Sequence, residues 1–110
     1  MHHFEIGNDI ESHSFTIVEA DRETLTIALF GHEERVRVTD YVTFVRTLTH
    51  AYHRLDGTAE LVRVDGSALL TLTFNPGRVA VRLVRDTSVR TFQTDQSYVT
   101  AALAQIGIVE

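Results

Sequence analysis

The chain has 110 residues, a formal net charge of −5 and no cysteine, which suits one domain and excludes disulfides, thiolate metal sites and cysteine nucleophiles. The acidity argues against general nucleic-acid binding, which needs a basic face to displace counterions, and no apolar run is long enough for a membrane helix. Met1-His2-His3-Phe4-Glu5 lacks the basic start and apolar stretch of a secretory signal, so the expectation is a single domain over residues 1–110 in the cytoplasm.

Phe4–Ile6 reads as a short edge strand, followed by a turn through Gly7-Asn8-Asp9. His13–Ala20 alternates, with Phe15 and Ile17 on one face and Ser14 and Thr16 on the other. After a turn at Asp21-Arg22, Thr24–Phe30 alternates again, placing Leu25, Ile27 and Leu29 against Thr24, Thr26 and Ala28. Beyond Gly31, Glu33–Val38 sets Val36 and Val38 against Arg35 and Arg37. A period of two is what a half-buried strand produces.

The period changes at Thr39-Asp40, either of which can cap a helix by accepting a backbone N–H. Tyr41, Phe44, Val45, Leu48, Tyr52 and Leu55 recur at steps of three and four and form one helical stripe. Asp56-Gly57 ends it, with glycine suited to a left-handed cap. Ala59–Val64 and Ser67–Phe74 read as strands joined by an Asp65-Gly66 hairpin turn. Asn75-Pro76-Gly77 suits a type II turn into Arg78–Arg85, and Val89–Gln93 reads as one more strand. Thr94-Asp95 then caps a final helix carrying Tyr98, Val99, Ala102, Leu103 and Ile106, stopped by Gly107. No sequence repeat or linker is evident. The expected architecture is α+β: a twisted, mainly antiparallel sheet of six to eight strands with two helices on one face. The other face would carry Arg35, Arg37, Arg63, Arg78 and Arg82 among threonines.

Few residues suggest chemistry. His50-x-x-His53 lies off the apolar stripe at a spacing that can place two imidazoles on one metal, with His2, His3, His13 or His32 as a third ligand. The ordinary reading is a pair of solvated histidines, since the glutamate and spacing of the H-E-x-x-H motif are missing. Ser67 has no nucleophile elbow around it and reads as a hairpin residue. Glu33 and Glu34 are adjacent in a strand, so they point to opposite faces and do not share a proton. Phosphate-cradling glycine loops are absent, and no cofactor is expected. Base stacking on the arginine face has only Phe30 and Phe92 to draw on.

Charge is unevenly spread. Residues 1–40 hold nine acids against three arginines, whereas residues 41–110 hold six acids against seven. Arginine supplies all ten basic residues. Such asymmetry favours a basic protein partner, because complementary charge speeds encounter.

The segments Tyr41–Leu55, Ala59–Val64, Asp65-Gly66-Ser67, Leu69–Phe74, Gly77–Arg85 and Gln96–Ile106 together resemble the immunity proteins paired with wall-associated, contact-dependent bacterial toxins. The resemblance runs over residues 24–106 and lies in the order and spacing of elements. It implies a non-enzymatic, stoichiometric inhibitor of a toxin domain, contacting a basic partner through the acidic half. Glu33, Glu34, Arg35 and Arg37 are the expected contact residues, with no nucleic acid or membrane involved. The alternatives are an oligomeric module pairing through an open sheet edge, or a small metal-dependent enzyme using His50 and His53.

Overall fold

The computed structural model describes residues 2–29, 31–85 and 87–107. Its elements are β1 (His2–Gly7), β2 (Ser12–Ala20), β3 (Thr24–Leu29), β4 (His32–Arg37), α1 (Val38–Arg54), β5 (Gly57–Val62), β6 (Ala68–Asn75), β7 (Arg78–Arg85), β8 (Ser88–Thr94) and α2 (Gln96–Ile106). The fold is α+β and antiparallel, as the alternation implies. The expected single sheet is instead two four-stranded meanders, β1-β2-β3-β4 and β5-β6-β7-β8. The reason is local: short turns pair each strand with the next, and α1 interrupts that chain of pairings after β4. The chain thus repeats one plan, four strands and a helix, without a repeat in its residues.

The inward faces of both sheets share one core. Phe4 and Phe15 face each other across β1 and β2, their rings stacked with centroids 4.9 Å apart. Ile27, Leu29 and Val36 continue that core from β3 and β4, and Ala59, Leu61, Leu70, Leu72, Val81 and Leu83 supply it from the second sheet. Helix α1 adds Phe44, Leu48 and Ala51, and α2 adds Val99, Ala102 and Leu103. Tyr41, Val45 and Tyr52 of the expected stripe are half-buried, but Leu55 lies outside it, 42% exposed.

The helix ends also depart from expectation. Helix α1 begins one residue before Thr39, and its N-cap, Arg37, makes no side-chain capping bond. At its C-terminus the left-handed cap residue is Leu55, at φ 56°, two residues ahead of Gly57, which opens β5 and itself has φ 108°. In α2, Asp95 caps as expected by accepting from the Ser97 and Tyr98 amides, and Gly107 takes the left-handed turn. Thr94 is turned away from the cap: its buried hydroxyl donates to the Gly7 carbonyl. The hairpin expected at Asp65-Gly66 is longer than two residues, because Arg63 leaves β5 and the Arg63 amide bonds the Ser67 carbonyl across the loop. Pro76-Gly77 does form the tight turn between β6 and β7, with Gly77 at φ 81°. Of the strand expected over Thr24–Phe30, Phe30 lies outside the described residues.

Each helix packs on the first strand of the other half, α1 against β5 and α2 against β1. On β1 this covers the sheet edge directly, since Gln105 Oε1 accepts the Glu5 amide at 2.7 Å. The last strands are met by loops. Val64, just after β5, donates its amide to the Arg35 carbonyl of β4 at 2.9 Å. Asn8, just after β1, donates its side-chain amide to the Gln93 carbonyl of β8 at 2.7 Å.

A two-pronged arginine–glutamate pair reinforces each of these seams. At β4, Arg63 Nε and Nη2 meet Glu34 Oε1 and Oε2 at 3.1 and 2.9 Å. At β8, Arg90 Nε and Nη2 meet Glu11 Oε1 and Oε2 at 2.8 and 2.7 Å. The fork of a guanidinium matches a carboxylate in this geometry, which fixes orientation as well as charge.

Candidate interaction surface

Strand β4 carries the four residues expected to meet a partner, and alternation divides them. Val36 and Glu34 turn inward, while Glu33, Arg35 and Arg37 are exposed on the outward face. Their cross-strand neighbours on β3 are small: Ala28 opposite Glu33, Thr26 opposite Arg35 and Thr24 opposite Arg37. The charged side chains therefore stand above a low platform. Glu19 extends one row, since it faces Thr26 from the other side. Arg37 reaches Asp40 at 4.0 Å, a loose, exposed pairing of small energetic weight.

Nearby, Asp21 accepts the Glu23 and Thr24 amides, which hold its carboxyl below the usual range, and the Arg35 charge adds to this. That carboxylate is spent on the turn entering β3. Glu34 is likewise spent. Its side chain is 18% exposed and clamped by Arg63, which also donates to the Ala68 carbonyl at 2.7 Å and to the Val84 carbonyl. The expected contact set thus reduces to Glu33, Arg35 and Arg37, and Arg63 leaves the outward arginine face for the seam. Arg78 and Arg82 are exposed on β7, as expected.

The second seam holds the most perturbed carboxyl. Arg90, and then His13, hydrogen-bond Glu11 and lower its pKa to about 2. The hydrogen bond to Glu11, and then its charge, in turn raise the Arg90 value. His13 is half-buried, with Nε2 2.8 Å from Glu11 Oε1 and its ring 5.4 Å from that of Phe92. Neither Glu11 nor Arg90 was singled out from the sequence, yet the signal was there. Glu11 and His13 share the parity of Phe15, Arg90 that of Phe92, and Arg63 that of Ala59 and Leu61. Opposite charges on inward positions call for each other.

His50 and His53 are exposed on α1, as expected, and the Tyr52 ring meets that of His53 edge-on at 5.3 Å. Among the described residues, no group of three or more histidine, aspartate or glutamate side chains is placed to hold a metal ion. The Tyr41 hydroxyl is buried with no hydrogen-bond partner among the described residues, and burial pushes its pKa up. None of the helices is long and apolar enough to cross a membrane among the described residues. Compared with known proteins, the chain matches no family model, and no curated protein or solved structure is significantly similar to it.

Proposed function

We propose that the domain acts by binding another protein, as an immunity-like, stoichiometric inhibitor of a bacterial toxin domain, through the outward face of β3 and β4. The observation that carries this reading is the row Glu33, Arg35 and Arg37, exposed on a strand whose inward side is fixed by Val36 and Glu34. Charges held on a rigid strand above small neighbours lose little freedom when a partner docks, which favours affinity. Exposed Glu19 and Glu23 lie at the same end of the sheet and favour a basic partner surface. Inhibition here needs no catalytic group or cofactor, only complementarity that blocks the partner's own site. Pairing through a bare sheet edge has less to use, because β1, β4 and β8 each meet a cover from the other half.

The test is capture with the tagged domain from its native cell, followed by mass spectrometry and binding kinetics of the purified partner. One near-stoichiometric toxin-like protein is expected, with association slowed by Glu33→Arg and by added salt. Glu34 should stay untouched in this test, since its reversal would open a seam. Absence of a stoichiometric partner would overturn the inhibitor reading. Unchanged association for Glu33→Arg and for Arg35→Glu/Arg37→Glu would remove this face as the contact.

A further inference from the structure

The outward face of the second sheet is built differently. Cross-strand pairing sets Thr73, Ala80 and Gln93 in one row and Thr71, Arg82 and Thr91 in the next. Short side chains at the centre of this face leave a concavity of about 500 Å³, lined by those six residues together with Val81 and Phe92. Arg82 is its one charged lining residue. Among the described residues it has no ion-pair partner, unlike Arg63 and Arg90. Glu60, the carboxylate in the same row, sits beyond Thr71, whose hydroxyl approaches Glu60 Oε2 at 3.3 Å.

The polar groups of that otherwise largely apolar lining are a fork of N–H donors, hydroxyls and one carboxamide. They complement a carboxylate, which takes two guanidinium bonds and leaves lone pairs for Thr71 and Thr91. Depth decides the source. A pocket for a small free molecule encloses most of its ligand, and an open hollow on a sheet cannot do so. An acidic side chain delivered by a protein surface needs no such enclosure, because its own backbone supplies the remaining contact area.

We infer that this concavity is a second docking surface, separate from the β4 row, which receives an aspartate or glutamate side chain of a protein partner on Arg82. The two outward faces then differ in what they present: the β4 row carries exposed charges of both signs, and the β7 centre offers Arg82 as its one charged group. Thr71, Thr73 and Ala80 act by staying small, since a longer side chain there would fill the hollow.

The probe is a capped peptide of three consecutive glutamates between glycines, titrated into the ¹⁵N-labelled domain, with the glutamine analogue as control. Saturable amide shifts are expected at Thr71, Thr73, Ala80, Arg82, Thr91 and Gln93, and not with the glutamine peptide. Arg82→Gln should weaken the response about tenfold, the usual consequence of losing a charged hydrogen-bond donor. Arg46→Gln, at an exposed arginine on α1, should leave it unchanged. Dispersed spectra for each variant establish that it is folded. Shifts spread evenly over all exposed arginines, shifts that persist in Arg82→Gln, or no shift at millimolar peptide would each overturn the site. Any of these would leave the β4 contact standing, because that contact is judged on its own variants.

Discussion

The two halves share one plan but are finished differently. The first half, β1 to α1, starts its helix without a side-chain cap and ends it on Leu55 in a left-handed conformation. The second, β5 to α2, caps with Asp95 and ends on Gly107. The seams differ in the same spirit. Arg63 and Glu34 at β4 are mostly buried, with side chains 14% and 18% exposed, whereas Arg90 at β8 is 61% exposed. The contrast teaches a division of labour. The β4 seam is the more buried of the two joints between the halves, and α1 ends on a residue that carries a steric cost for its left-handed conformation.

The largest effect should come from Arg63→Ala. It leaves the Glu34 carboxylate without its counter-charge and two carbonyls without their donor, a loss of about 3 kcal/mol for a buried pair. Urea unfolding measures it. A loss no larger than that from Arg90→Ala would break the contrast between the seams. Charge exchange sharpens it further. Glu11→Arg/Arg90→Glu should regain much of what either single change loses, because that pair is mainly a mutual contact. Glu34→Arg/Arg63→Glu should not recover, since a glutamate at 63 cannot donate to Ala68 and Val84.

Leu55→Gly should stabilise the fold by on the order of 1 kcal/mol, since glycine adopts the left-handed conformation without the steric cost. A lower unfolding midpoint would mean that the half-exposed leucine side chain contributes more than the strain costs. The smallest effect concerns acid. Glu11 has its carboxyl depressed from 4.5 to about 2, so its pairing stabilises the folded state fully above the ordinary value. That contribution fades as pH falls from there through about 2. Side-chain carbon shifts of Glu11 against pH should show the low midpoint, and Arg90→Ala should move it upward.

Alternation made most strands legible, and the helical stripe through Phe44 and Leu48 made α1 so. The split into two sheets was not legible, because period two states which face is buried and is silent about where pairing stops. The cap at Leu55 was hidden for a related reason: propensity points to glycine, and Gly57 does take a positive φ, but the helix has already ended two residues earlier. At the candidate contact, exposure of Glu33, Arg35 and Arg37 followed from the parity of β4. The diversion of Glu34 depended on Arg63, 29 residues away, and only the fold brings them together. The expectation that put Arg63 on the outward face is overturned by that pairing.

The exchange of helices has a consequence for how the chain comes off the ribosome. The edge of β1 is made before α2 and is covered by Gln105, 100 residues after Glu5. At typical synthesis speeds that interval is roughly 5–20 s. Throughout it, β1 offers an unpaired amide edge while its cover does not yet exist, whereas α1 meets β5 almost at once, since that strand begins at Gly57. A truncation ending before α2 would expose that same edge permanently.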